Sequence, residues 1–478
     1  MLSSNTDCVQ NLSRRNFLRQ ASGGIAASAL AGCSGKSRAR RPNVLMLSVD
    51  DLNPRIGCYG DPIARSPNID RVARQGVRFR HGFSQWPACL PSRVSFLSGW
   101  YPERTQMYEF KFDSRLGPLQ DAVYLPQHLK QQGYYTARLD KVFHIGGDDP
   151  LSWNLSEEPV KDEQGNNRVV STPKEWEVMG LSQYTIQKGE MSRCDGEPGR
   201  YTVLDCPDDV LTDGIIARRA VEILEQRAQE DQPFMLACGF RRPHLDWMAP
   251  KKYFDMFPPE QMVLPPKPAG HDPMSYPPED EHRFAIAGYY AAMAYTDTQI
   301  GLVLDALEQT GQADNTIIVL FGDQGYMLGE RNGHFGKGSL YDLSFRVPLI
   351  WSVPWISQRD VVCNRSVQLL DMYPTICELT GLPQPPVDLQ GRSLMPLLEN
   401  PQSEWESRAV SLSAMGETGL CRSIRDDRYR YNETMDGTPL ELYDYQNDPN
   451  EWRDLVDDAM HQSIREQLQT QLRAVQTA

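Results

Sequence analysis

Apolar residues in this chain fall into two kinds of run from residue 43 onward, and their alternation predicts the fold. Residues 43–49, Asn-Val-Leu-Met-Leu-Ser-Val, are nearly continuous in apolar character, the pattern of a strand buried on both faces. Similar runs recur at 134–139, 234–239, 316–321 and 347–353. Between them the spacing turns helical: Ile69, Val72 and Ala73 behind Ser66-Pro67; Val94, Leu97 and Ser98 behind Pro91, with Gly99 suited to a left-handed cap; residues 125–132, stopped by Gly133; Ile216, Ala220, Ile223 and Leu224 behind Asp213; residues 284–309, closed by Gly311; and residues 367–380. Strands alternating with helices predict an α/β class, with a parallel sheet flanked by helices.

Two stretches break the pattern. Residues 146–206 are rich in Gly, Asp, Glu, Asn and Pro with little periodicity, and residues 258–278 are Pro-rich, so both predict surface excursions of the kind that rim active sites. After Leu397 the composition becomes more polar. Residues 422–431 alternate weakly, as a half-exposed strand does, residues 440–444 continue that pattern, and an amphipathic helix closes the chain. These shifts predict a catalytic domain over 42–403 and a smaller C-terminal antiparallel-sheet subdomain over 404–478, with no internal repeat.

The chain has 478 residues, and Lys+Arg 49 against Asp+Glu 63 leaves a formal net charge of -14. That balance argues against general nucleic-acid affinity and assigns recognition of an anion to a local basic pocket. Ahead of the first strand, Ser13-Arg14-Arg15-Asn16-Phe17-Leu18 resembles a twin-arginine export signal, and the Gly/Ala/Ser-rich run after it is too short to span a membrane. Leu30-Ala31-Gly32-Cys33 resembles a lipobox. Residues 1–33 are thus expected to be a signal segment and 34–41 a tether, with the protein periplasmic or at the cell surface, carried by the twin-arginine machinery and touching membrane only through a lipid anchor at Cys33.

Candidate chemistry sits at the strand ends. The first strand runs into Asp50-Asp51, and the strand at 316–321 into Gly322-Asp323-Gln324, where open α/β sheets place their ligands. Three carboxylates and an amide oxygen are hard donors, which fit Ca²⁺ or Mg²⁺ better than zinc. Lys141 and His144 follow the strand at 134–139, His244 follows that at 234–239, and Lys337 lies in a Gly-rich loop; with Arg93 they offer cations for an oxyanion and proton carriers. Cys89 is expected at a helix N-terminus, where amide N–H groups and Arg93 gather, so an unusually acidic thiol is expected there.

Cys89-Leu90-Pro91-Ser92-Arg93 followed by Val94-Ser95-Phe96-Leu97-Ser98-Gly99 resembles the signature of the sulfatases. Asp51-Leu52, Gly57-Cys58-Tyr59-Gly60-Asp61, Arg65-Ser66-Pro67-Asn68-Ile69-Asp70, Lys141-Val142-Phe143-His144, Pro243-His244 and Cys206-Pro207 are most similar to that family's iduronate-2-sulfatase branch. Leu440-Glu441-Leu442-Tyr443-Asp444 through Asp448-Pro449-Asn450-Glu451 resembles the family's C-terminal sheet signature.

The resemblance implies an alkaline-phosphatase-like α/β fold, a large mixed, mostly parallel sheet flanked by helices, and hydrolysis of a sulfate ester, on a sulfated uronic acid or related glycosaminoglycan-like sugar. It implies that a maturation enzyme converts Cys89 to formylglycine, whose hydrated aldehyde has two hydroxyls on one carbon, one to attack sulfur and one to expel sulfate. It implies one Ca²⁺, rather than Mg²⁺, held by Asp50, Asp51, Asp323, Gln324 and the converted Cys89. Arg93 would steady the formylglycine, Lys141 and His144 hold sulfate and the hydrated aldehyde, and His244 with Lys337 assist the leaving oxygen. Cys194 and Cys206 stand where the iduronate-2-sulfatase branch has a paired cysteine loop, which implies a disulfide.

Two positions depart from the family: Gln324 replaces its usual His or Asn, and Asp140 replaces the Gly before Lys141. Two other functions stay open at this point, a phosphate or phosphonate monoester hydrolase on the same fold, and a lipoprotein that binds sulfated glycans without turning them over if Cys89 stays a thiol.

Overall fold

The computed structural model describes residues 40–108, 113–145, 147–158, 181–192 and 195–476. The twin-arginine motif, Cys33 and Cys194 lie outside these residues.

Among the described residues the main sheet has eight strands: β1 (Asn43–Val49), β2 (Val77–Phe83), β3 (Tyr135–Asp140), β4 (Leu155–Glu157), β5 (Phe234–Phe240), β6 (Thr316–Gly322), β7 (Arg346–Ser352) and β8 (Val361–Gln368). Their order across the sheet is β8-β2-β7-β6-β1-β5-β3-β4, with β7 antiparallel to both its neighbours and the other pairings parallel. Alternate residues of β1 face opposite ways. Leu45, Leu47 and Val49 pack into one core with helices α1 (Pro67–Arg74), α4 (Thr212–Arg227) and α5 (Glu279–Gln309). Val44 and Met46 pack into another with α2 (Cys89–Ser98), α3 (Leu125–Gln131) and α7 (Met372–Thr380). All seven residues of β1 are buried, as its apolar run demands.

Several expectations need correction. The helix expected from 367 begins at Met372; residues 361–368 are instead strand β8, paired with β2 through an irregularity between Cys363 and Ser366 that spoils its period. β2 was hidden because Arg78 and Arg80 break the apolar run on one face and His81 interrupts Val77, Phe79 and Phe83 on the other. The excursion over 146–206 carries strands at Leu155–Glu157, Thr185–Glu190, Asp195–Gly196 and Arg200–Leu204.

The C-terminal sheet is antiparallel and four-stranded: β9 (Ala409–Ala414), β10 (Leu420–Arg425), β11 (Tyr429–Thr434) and β12 (Pro439–Asp444), followed by helix α8 (Gln462–Gln476). The single strand expected over 422–431 is therefore a hairpin. Asp426 turns it by accepting hydrogen bonds from the N–H groups of Arg428 and Tyr429 at 2.7 and 2.6 Å. A short turn of helix, α6 (Asp342–Phe345), links β6 and its loop to β7.

Candidate active site

Strand register brings the candidate residues to one edge. Val49 lies opposite both Gly322 and Phe240, and Asp140 opposite Gly239, so residues 50–51, 141–144, 241–244 and 323–324 leave neighbouring parallel strands side by side. The crowding there requires glycine at 239, where a Cβ would lie 2.2 Å from the carbonyl carbon of Lys141. Asp140 takes the left-handed conformation (φ 59°) in which glycine is usual. Its buried carboxylate is held by Arg241, whose Nε and Nη2 donate at 2.7 and 2.8 Å. The departure from the family pattern thus comes with its own partner, and Lys141 still enters the site.

Helix α2 is buried along its whole length and ends at Gly99 (φ 74°) as its sequence predicts. Cys89 opens it. Its Sγ donates to Asp50 Oδ1 at 3.3 Å and faces Lys337 Nζ at 3.2 Å and Lys141 Nζ at 3.6 Å. One turn later the Arg93 guanidinium pairs with Asp323 Oδ2 at 2.8 Å and Asp50 Oδ1 at 3.8 Å, and donates to the carbonyls of Lys141 and Val142. Ser92 Oγ donates to the carbonyl of Asp323 at 2.5 Å, fastening α2 to the end of β6.

The acidic thiol expected at the helix N-terminus is overturned. Burial, reinforced by Asp50, pushes Cys89 up to about 12, and Lys141 and Lys337 offset only part of this. As an unmodified side chain Cys89 is a poor nucleophile at neutral pH.

The carboxylates have different characters. Burial would raise Asp50, but the permanent charges of Lys141, Arg93 and Lys337 help to hold it well below the usual range. Asp51 is raised to about 7 by burial and its neighbours Asp50 and Asp323, despite Lys337, and Asp323 to about 6 by burial, despite Arg93.

A cation would relieve this crowding. Asp50 Oδ2, Asp51 Oδ2, Asp323 Oδ2 and Gln324 Oε1 are buried and accept no hydrogen bond, although Lys141 and Arg93 form ion pairs with the first and third. Four oxygen atoms from two strand ends are a donor set for Ca²⁺ or Mg²⁺. Gln324 meets the same carboxylates, its Nε2 donating to Asp51 Oδ1 and, at 3.3 Å, to Asp50 Oδ1. Ligating atoms of Asp50, Asp51, Cys89 and His244 also lie within 4.8 Å of one another, so His244 joins the group that the sequence assigned without it. Asp323 stands slightly apart, its Oδ1 accepting from the N–H groups of Gln324 at 3.0 Å and Asp51 at 3.2 Å.

His244 Nδ1 donates to the carbonyl of Leu245 at 2.6 Å, which leaves Nε2 as the acceptor 4.0 Å from Asp51 Oδ2. Burial, then Lys141 and Lys337, hold its pKa well below the ordinary value. Burial and Lys141 likewise lower His144 to about 3. Both rings are therefore neutral at pH 7 and carry no proton to give as an imidazolium. Lys337 bonds Asp51 Oδ1 at 2.5 Å, and that carboxylate outweighs burial to keep its ammonium charged.

Sequence reasoning passed over Glu197, Ser92 and the role of Arg241. Glu197 N donates to the carbonyl of Phe335 at 2.8 Å, Tyr326 OH donates to its Oε2 at 3.3 Å, and its charge acts on both Asp51 and Lys337. It arrives through the pairing of Asp195–Gly196 with His334 and Phe335, which no local pattern announces. Of the implied Cys194–Cys206 bridge only Cys206 is described, as a free thiol that burial raises to about 11.

Residues 42–382 match the family model described as Sulfatase, and residues 329–478 that described as N-sulphoglucosamine sulphohydrolase, C-terminal. Iduronate 2-sulfatase of Mus musculus is 32% identical over 416 residues, covering 74% of this chain and 72% of its own. A phosphonate monoester hydrolase of Agrobacterium radiobacter shares the fold with a TM-score of 0.72 at 21% identity, over 91% of this chain and 96% of its own. A solved structure in complex with D-glucosamine-2-N,6-O-disulfate does so with a TM-score of 0.69 at 21% identity, over 92% of this chain and 98% of its own. With the family signature at Cys89 facing three aspartates at the sheet edge and the family model spanning most of its length, the chain belongs to the sulfatase family and hydrolyses sulfate esters.

Proposed function

We propose that this protein is an exported bacterial sulfatase that removes sulfate from a sulfated uronic acid of a glycosaminoglycan-like polysaccharide, using a formylglycine derived from Cys89 and one Ca²⁺. The observation that carries this reading is the placement of Cys89 Sγ within 3.6 Å of Asp50, Lys141 and Lys337, in a buried cluster where Asp51 Oδ2 and Gln324 Oε1 accept no hydrogen bond. The similarity to iduronate 2-sulfatase supports the choice of sugar.

Asp50, Asp51, Asp323 and Gln324 would hold the ion, which when bound supplies positive charge for the sulfate and for the oxygen at position 89. Formylglycine supplies the paired hydroxyls that let attack and release proceed from one carbon. The chain's own groups do the rest. Arg93 fixes the helix that carries position 89 and balances Asp50 and Asp323. Lys141, reaching in over Gly239, and His144 bind the sulfate oxygens. His244 stands with Lys337 at the leaving alcohol oxygen, where Lys337, as a charged ammonium, stabilises the charge that grows there.

The leader supports export by the twin-arginine route after a maturation enzyme has acted on the folded protein, with a lipid anchor at Cys33 holding it in the periplasm or at the cell surface. The test is turnover of 2-sulfated iduronate and 6-sulfated glucosamine disaccharides against an aryl sulfate and an aryl phosphate. Preference for the 2-sulfated uronate is expected. Preference for the glucosamine sulfate would move the substrate, preference for the phosphate would favour a monoester hydrolase, and binding without turnover would leave a glycan-binding lipoprotein.

A further inference from the structure

The C-terminal signature around Glu451 lies outside the strand-end cluster, yet its contacts lead back to it. Glu451 is buried and accepts the backbone N–H of Asp342 on both carboxylate oxygens at 3.3 Å. Asp342 opens α6, five residues after Lys337. Glu451 is itself held by an ion pair with buried Arg430 and a hydrogen bond from Tyr445 OH. Arg425 of β10 takes the other side of the turn, with its Nε 3.3 Å from Asp342 Oδ1.

From α6 the contacts reach the site along two lines. Ser344 O accepts the N–H of Gly325, the residue after Gln324, and Phe345 O accepts that of Ser84, both at 3.0 Å. Strand β9 then touches both catalytic approaches. Ser413 Oγ donates to the carbonyl of Gly338 at 3.0 Å, directly behind Lys337. Ser411 Oγ donates to Ser84 O at 2.5 Å and Leu412 N to Gln85 O at 2.9 Å, on the segment that leads into Cys89.

We propose that Glu451 and Ser413 are positioning residues for the sulfatase reaction, through which the C-terminal sheet fixes the loop carrying Lys337 against the leaving-group side of the site. An isolated Gly-rich loop would leave a flexible lysine free to sample many positions, and a displacement of about 1 Å at a reacting centre costs on the order of 100-fold in rate. The buried ion pair between Arg430 and Glu451 is a poor source of net stability, and registering one element against another is the better-attested use of such pairs. This inference rests on the proposed role of Lys337 at the leaving oxygen.

That role supplies a readout that general loosening of the fold would not move. A sugar alcohol is a poor leaving group and needs Lys337, whereas nitrophenolate leaves with little help. Glu451→Ala, Ser413→Ala and Lys337→Ala are each assayed on a sulfated sugar and on nitrophenyl sulfate, with thermal midpoints measured alongside. Glu451→Ala and Ser413→Ala are expected to lose about tenfold or more in kcat on the sugar sulfate and less than about threefold on the aryl sulfate. Ser413→Ala, which removes one hydroxyl, decides the matter if Glu451→Ala fails to fold. Equal losses on both substrates in Ser413→Ala, with Lys337→Ala selective, overturn the inference alone. If Lys337→Ala is itself unselective, the leaving-group role fails and the inference with it.

Discussion

Breaking the pair between Asp140 and Arg241 from one side and then from both is the perturbation that most sharply tests how Lys141 is brought into the site. The two side chains are 0% and 3% exposed, and the Arg241 guanidinium bonds both oxygens of the Asp140 carboxylate. Arg241→Met leaves a buried carboxylate without that cation, which costs about 3–5 kcal/mol. Asp140→Gly removes the carboxylate instead, but also releases a left-handed backbone worth about 1 kcal/mol, so its net cost is about 2–4 kcal/mol. The double variant removes both charges and replaces an ion pair by apolar surface, a change that is often close to neutral, and it should lose only about 1–2 kcal/mol. The double-mutant cycle therefore predicts a coupling of about 3 kcal/mol or more. Urea unfolding of the four proteins at one fixed Ca²⁺ concentration measures it. Losses that add to within about 0.5 kcal/mol would refute the idea that Arg241 compensates for the missing glycine.

Three other outcomes are expected. Gly239→Ala places a Cβ on the Lys141 backbone, so it should lower turnover of both aryl and sugar sulfates while helix content by circular dichroism is retained. Exhaustive chelation should abolish turnover and lower the thermal midpoint, and saturating Ca²⁺ at about 100 times its Kd should restore about 2.7 kcal/mol of stability, a gain that Asp51→Asn lacks in calorimetry. Asp371, the residue before α7, is buried and raised to about 6 by that burial, although it accepts the N–H groups of Gln368 and Arg392 at 3.0 and 2.8 Å. Because its folded pKa lies above the unfolded value of about 3.9, its contribution is fully present below that pH and is lost as pH rises through about 6. Denaturation of wild type and Asp371→Asn between pH 3.5 and 7 should show the gap moving in favour of the variant by up to about 3 kcal/mol; a constant gap would contradict this sign.

The sequence was most legible where burial is complete. β1, β5 and β6 read directly as apolar runs because parallel strands covered on both faces tolerate little else, and the aspartates at their ends followed from the same observation. Cys89, Arg93, Lys141, His144 and His244 came from strand ends and motifs resembling the family's and Lys337 from a Gly-rich loop, and the strand register shows why distant segments meet. What escaped depends on non-local pairing. β2 and β8 satisfy each other at one side of the sheet, where polar Arg78, Asn364 and Arg365 blur the pattern. Glu197 reaches the site through a two-residue pairing. The thiol was misjudged because the helix N-terminus was visible in the sequence, while the burial and the Asp50 carboxylate that outweigh it were not.

The most direct measurement is mass spectrometry of the peptide containing Cys89, taken from protein expressed with a sulfatase-maturation enzyme and assayed for sulfate release in the same preparation. An aldehyde at position 89 whose occupancy scales with specific activity, and its absence from inactive Cys89→Ala, is the predicted result. Full activity from protein carrying an intact thiol at that position would contradict the account.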